Sequence, residues 1–285
     1  MRMKKLNIYA FADEASPLID GQIQAMKRNY LDGLEIRNVD NVNVADITLE
    51  KAREVRKKLE DQGLHVWSVG SPIGKIDIVK DNFQEHIEKF KHVLEITNEL
   101  KAENIRLFSF YMPENKNPAD YRNEVIERLG AFVDIAKGSG IDLCHENEKG
   151  IYGDTVARCL EIFKAIPQMK GIFDPANFVQ CEEDTLKAWE VLQPYIKYLH
   201  IKDAMENGSI VPAGKGIGNI PELIAAYQRM GGSAITMEPH LAVFEGLAGL
   251  EREGEQSNVG EYAYNSNDEA FDVACEAVRN ILQTV

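Results

Sequence analysis

Short runs rich in Ile, Val, Leu, Phe and Tyr recur along the chain, each followed by a longer stretch whose apolar residues return every three or four positions. Such alternation predicts parallel strands joined by crossover helices. Eight strands are expected, at 6–12, 33–39, 65–70, 104–111, 141–146, 170–174, 196–202 and 234–238. Between them Leu49, Ala52, Val55 and Leu59 share one helix face, as do Phe83, Ile87, Phe90 and Leu94, and stripes of this width suit the outside of a barrel. Ser16-Pro17 punctuates the joint before the first helix, Gly138-Ser139-Gly140 follows the fourth, and no low-complexity linker divides the chain. The expected fold is an α/β (β/α)8 TIM barrel, a single domain over residues 1–285, a length that one barrel accommodates. One segment breaks the rhythm. Residues 243–268, Gly-rich and acidic with Tyr262 and Tyr264, follow the eighth strand as an insertion, expected either to cover an active site or contact a subunit, or to be a solvent-exposed excursion.

Composition narrows the class of partner. Hydrophobic residues at 44% and charged residues at 27% are ordinary for a globular protein. A formal charge of −14 with no basic run opposes nucleic acid and anionic membranes, so a small molecule is the expected partner. Assembly into a homo-oligomer is left open. Cys144, Cys159, Cys181 and Cys275 show no C-x-x-C spacing, which suits reduced thiols packed in a cytoplasmic protein. The basic start turns acidic after a few apolar residues, too few for a signal-peptide core or a membrane span.

In a barrel the chemistry gathers where strands end, and the second half supplies four metal-competent residues there: Glu146, Asp174, His200 and Glu238. Three carboxylates brought together are costly unless a cation neutralises them, and three oxygens with one nitrogen suit a single divalent ion, Mn, Mg, Co or Zn. Any one of these acids could instead cap a helix or pair with a lysine. Strand alternation puts Glu148 beside Glu146, Lys202 beside His200 and His240 beside Glu238, and pairs Glu35 with Arg37 on the second strand. Glu35, Arg37, Lys202 and His240 are therefore candidate substrate-binding residues, with an Arg37–Glu35 salt bridge as the structural alternative. His65, His86, His92 and His145 fall at a strand start, on helices or at the opposite parity, where packing or solvent exposure is expected. The run from Pro212 to Leu223, PAGKGIGNIPEL, could cradle an anion on its amides or simply form a tight turn; it is no dinucleotide fingerprint.

With FADEASP near the start, Glu146-Asn147, FDPAN at Asp174, HIKDA at His200 and MEPHL at Glu238, the chain resembles the xylose isomerase-like barrel superfamily of sugar isomerases and epimerases, which also holds endonuclease IV-type DNA repair enzymes. The resemblance implies that Glu146, Asp174, His200 and Glu238 ligate the metal, and it selects Glu146 over Glu148. It also implies that Glu146 and Glu238 exchange the substrate proton, as the matching residues do in related ketose epimerases. Two departures matter. Many relatives carry a histidine where this chain has Asn177, and the extra histidines of the endonucleases have no counterpart near Ser71 or between Asn104 and Pro113. The expected function is isomerisation or epimerisation of a small sugar, sugar phosphate or keto-polyol through a metal-stabilised enediolate. A dehydratase using the same parts, a non-catalytic sugar-binding barrel and, distantly, a DNA repair enzyme are the alternatives.

Overall fold

Each of the eight expected runs forms a strand in the computed structural model, which describes residues 5–247, 258–259 and 262–285. They are β1 (Asn7–Ala10), β2 (Gly33–Ile36), β3 (Val66–Gly70), β4 (Asn104–Leu107), β5 (Asp142–Glu146), β6 (Lys170–Phe173), β7 (Ile196–Ile201) and β8 (Ala234–Met237). All pair in parallel, and β1 closes the ring by pairing with both β8 and β2. Helices follow every strand, so the fold is a (β/α)8 TIM barrel. Ala52, Val55 and Leu59 are buried on the helix Leu49–Glu60, and Ile87 and Phe90 on Phe83–Leu100. The stripe residues Leu49 and Leu94 pack against the same core while partly exposed. Side chains of Thr48, Asn82 and Ser266 cap three of the outer helices by accepting backbone N–H groups that the first turn leaves unpaired.

Several strands end earlier than the apolar pattern suggests. The run expected at 33–39 stops at Ile36, because Asp40 and Asn41 adopt left-handed backbone (φ 49° and 67°) and fold Asn38–Val39 back on Val42–Asn43. β7 likewise gives way after Ile201, and Asp203–Ala204 pairs antiparallel with Ile210–Val211. These small hairpins stand at the mouth, where the chain leaves the barrel. Within the 243–268 segment, residues 248–257 and 260–261 lie outside the described residues; the last outer helix starts at Asn267.

The glycine run after β7 is a turn, and its amides hold an anion supplied by the chain itself. Gly214 and Gly216 donate to Asp203 Oδ2 at 2.8 and 2.9 Å, and Gly218 donates to Oδ1 at 2.9 Å. A Cβ on Gly216 would stand 2.3 Å from the carbonyl oxygen of Ala204, so only glycine lets the loop close this tightly. Replacing Asp203 with alanine would strand four N–H groups, those of the three glycines and of Ala204, each costing about 1–3 kcal/mol when water cannot replace the carboxylate. Thermal denaturation of Asp203→Ala should show a clear loss of melting temperature, with Asp203→Asn intermediate.

Candidate metal centre

Four strand ends converge on one point. Glu146 closes β5, Asp174 follows β6, His200 is the penultimate residue of β7, and Glu238 follows β8. Each offers one ligand atom, and these atoms all lie within 4.8 Å of one another with every side chain buried. Asp174 does two jobs. Its Oδ1 accepts the Asn177 N–H at 2.9 Å and caps the helix Pro175–Gln180, whose first-turn proline has no N–H that needs an acceptor; its Oδ2 is left for the site. Asn177 ties the loops together by donating to the Asn147 carbonyl at 2.9 Å.

The imidazole of His200 is oriented from behind. Nδ1 faces Glu146 Oε1 at 3.0 Å and Glu238 Oε2 at 3.2 Å, while Nε2 lies 3.1 Å from Glu35 Oε2. Glu35 is fully buried beneath it, and its other oxygen accepts Tyr198 Oη at 2.8 Å and Ser68 Oγ at 3.1 Å. Glu35 therefore sits under the histidine rather than at the substrate-facing surface expected for it, in the arrangement by which a carboxylate fixes the tautomer of a metal-binding histidine. Burial works against the charged imidazole, but Glu146 and Glu35 outweigh it and raise the His200 pKa well above its ordinary value.

Fixed cations surround the carboxylates. Lys202 Nζ lies 2.9 Å from Asp174 Oδ2 and 3.3 Å from Glu238 Oε2. Arg37 does not pair with Glu35. Its guanidinium grips Asp13 with two donors at 2.9 and 3.0 Å, and reaches Glu14 at 3.2 Å and Glu238 Oε1 at 3.0 Å. Phe11 and Phe244 cover its faces, with Cζ 4.4 and 4.9 Å from their centroids, which leaves the whole side chain buried. Arg37 is thus enclosed among protein groups. His240 is also enclosed: it has left-handed backbone (φ 46°), donates its N–H to Glu14 Oε2 at 2.7 Å, and stands 3.6 Å from Glu238 Oε1. Burial holds its imidazole neutral against the pull of Glu238.

Three members of the site carried no assigned role from the pattern of residues. Arg106, in the middle of β4, places Nη1 3.3 Å from Glu146 Oε2 and 3.5 Å from Glu238 Oε1, and donates from Nη2 to the Gly70 carbonyl at 3.2 Å. Asp13 and Glu14 come from a 3-10 turn after β1. Burial pushes the Glu14 carboxyl up to about 8, partly offset by Arg37. The histidines expected to be structural are so: His145 Nε2 meets Ser109 Oγ at 2.9 Å, His86 accepts the Gly74 N–H at 2.8 Å, His92 meets the Ile47 carbonyl at 2.9 Å and His65 meets Tyr9 Oη at 3.3 Å.

The donor set fits a divalent cation. Glu146, Asp174 and Glu238 bring three buried carboxyl groups together around His200, and a dication among them would offset their mutual repulsion. Glu146 Oε2 and Asp174 Oδ2 are buried without a directed hydrogen bond, although Arg106 and Lys202 stand close. Burial raises the Asp174 carboxyl to about 7, and Glu146 and Glu238 add to the rise against the opposing effect of Lys202. Three oxygens and one nitrogen at this spacing suit Mn, Mg, Co or Zn.

Barrel and site together define a (β/α)8 protein with a metal-competent O3N cluster at the C-terminal ends of its strands. The sequence profile of the xylose isomerase-like TIM barrel family matches residues 23–254, and the chain belongs to that family. No curated protein matches it in sequence. Among solved structures, L-ribulose 3-epimerase is 18% identical, with 99% of this chain and 95% of that chain covered and a TM-score of 0.75. The IOLI protein with a bound zinc atom is 15% identical over 97% and 98% of the two chains, with a TM-score of 0.73. The probable 3-DHS dehydratase AsbF from Bacillus anthracis is 18% identical over 96% and 99%, with a TM-score of 0.71. At these identities the likeness is one of fold.

Proposed function

We propose that the chain is a divalent-metal-dependent isomerase or epimerase of a small sugar or related keto-polyol, working as one barrel domain in the cytoplasm. The observation that carries this reading is the convergence of Glu146, Asp174, His200 and Glu238 within 4.8 Å, with Glu35 behind His200. These four residues would hold the ion. A bound dication supplies Lewis-acid polarisation of a substrate carbonyl and its neighbouring hydroxyl, which makes the α proton acidic. Glu146 or Glu238 takes that proton, and the other carboxylate returns one. Return to the adjacent carbon gives isomerisation; return to the opposite face of the same carbon gives epimerisation. In this reading Lys202, which pairs with Asp174 and Glu238, meets developing negative charge on a substrate oxygen. Arg37 and Glu35 act through the residues they hold.

Four free thiols fit the cytoplasmic part of the proposal: Cys144, Cys159 and Cys275 are buried and Cys181 is partly exposed. Among the described residues no helix is long and apolar enough to cross a membrane.

The test is deuterium exchange. Protein loaded with Mn²⁺ and incubated in D₂O with free and phosphorylated ketoses, hydroxypyruvate and inosose should label an α carbon in at least one of them. Exhaustive chelation should abolish the labelling, and restored Mn²⁺ should return it. Absence of labelling across the panel in fully metallated protein would contradict the proposal. Net loss of water from a labelled substrate would assign elimination in place of isomerisation.

A further inference from the structure

A second polar pair belongs to loops that follow barrel strands at the same end as the four proposed ligands. Lys75 belongs to the loop after β3 and Glu148 to the loop after β5, and Lys75 Nζ donates to Glu148 Oε1 at 2.7 Å. The Lys75 side chain is 9% exposed and that of Glu148 22%, against 4% or less for the side chains of Glu146, Asp174, His200 and Glu238. The pair is thus more solvent-facing than those four. Phe108 links the pair to the site residue Arg106. Lys75 Nζ sits 4.5 Å from the centroid of the Phe108 ring, and the same ring lies 5.0 Å from Cζ of Arg106, which itself touches Glu146 and Glu238.

We infer that Lys75 and Glu148 form a substrate-binding pair that reads the hydroxyl groups of the substrate remote from the reacting carbons, and that the substrate end they read is an uncharged vicinal diol. This rests on the proposed sugar chemistry at the four-residue cluster. A substrate whose carbonyl and adjacent hydroxyl lie at that cluster extends its remaining carbons outward, toward the more exposed Lys75 and Glu148. An ammonium supplies only donors and a carboxylate only acceptors, so side by side they match two neighbouring hydroxyls, each of which can accept one hydrogen bond and donate another. Paired, they carry no net charge, and Glu148 would repel a phosphate placed there. A second observation favours the uncharged end. The backbone amides after β7, in the region where barrels commonly bind phosphate, are already filled by the carboxylate of Asp203.

The experiment is calorimetric titration of Mn²⁺-loaded wild type, Lys75→Gln and Glu148→Gln with four- to six-carbon ketoses and with their terminal phosphate esters, manganese being measured on the same samples. Wild type should bind at least one free ketose more tightly than its phosphate ester. Each variant should weaken that binding by about ten- to a hundred-fold, the range for a hydrogen bond to a charged group, while manganese stays at one per chain. Where a single variant does not fold, the Lys75→Met/Glu148→Leu double variant removes both charges together and should show the same weakening. Tighter binding of the phosphate esters, or wild-type affinity in the variants, would overturn the inference and leave the proposed function standing. Failure of wild type to hold manganese or to exchange an α proton would overturn both.

Discussion

A Glu146→Gln or Glu238→Gln protein that retains its metal is expected to exchange the substrate α proton about 10²- to 10⁴-fold more slowly than wild type, the usual contribution of a general acid or base. Glutamine keeps the size of the side chain and one oxygen donor, so the loss isolates basicity from ligation. The surroundings support this use of the substitution. Glu146 Oε1 faces His200 and Glu238 Oε1 receives Arg37, so one oxygen of each carboxylate has a role that an amide oxygen can still fill. Metal content measured on the same sample separates a lost base from a lost ion. Should a fully metallated variant exchange at the wild-type rate, that glutamate is a ligand only, and the base must be sought at Glu148, Lys202 or His240.

Arg37→Met is expected to cost about 3–5 kcal/mol of stability, because removing one partner of a buried ion pair leaves its acids without a counter-charge. Asp13 and Glu14 would both lose their buried guanidinium, as would one oxygen of Glu238. The size of the effect follows from burial, since Arg37 is 1% exposed and boxed between two aromatic rings. At about 2–4 °C per kcal/mol for a chain approaching this length, the melting temperature should fall by roughly 10 °C. A raised KM with unchanged melting temperature would instead make Arg37 a substrate contact.

The barrel was legible because each strand carries an apolar run and each outer helix an apolar stripe. The convergence of Glu146, Asp174, His200 and Glu238 was legible for a related reason: each stands at the end of such a run, and a closed parallel barrel brings consecutive strand ends together. Parity reported sides but not depth. Glu35 and Arg37 share a side of β2 and its continuation, yet Glu35 lies beneath His200 while Arg37 rises to Asp13 and Glu238. Arg106 escaped notice as one cation inside the apolar NIRLFSF, with no polar neighbour two residues away on the mouth side to draw attention to it. Asp13 and Glu14 sit in a 3-10 turn, where strand alternation predicts nothing. The glycine run showed its capacity for an anion, but only the tertiary structure shows that Asp203, eleven residues before Gly214, supplies it.

The central claim is that one divalent ion binds at the four strand ends, and anomalous X-ray diffraction at the manganese edge from crystals grown with Mn²⁺ tests it most directly. The expected result is one strong peak per chain, about 2.0 to 2.3 Å from oxygens of Glu146, Asp174 and Glu238 and from Nδ1 of His200. Its disappearance in Asp174→Ala and His200→Ala crystals would complete the assignment. A peak elsewhere, or none at these side chains with Mn²⁺ in excess, would contradict the account.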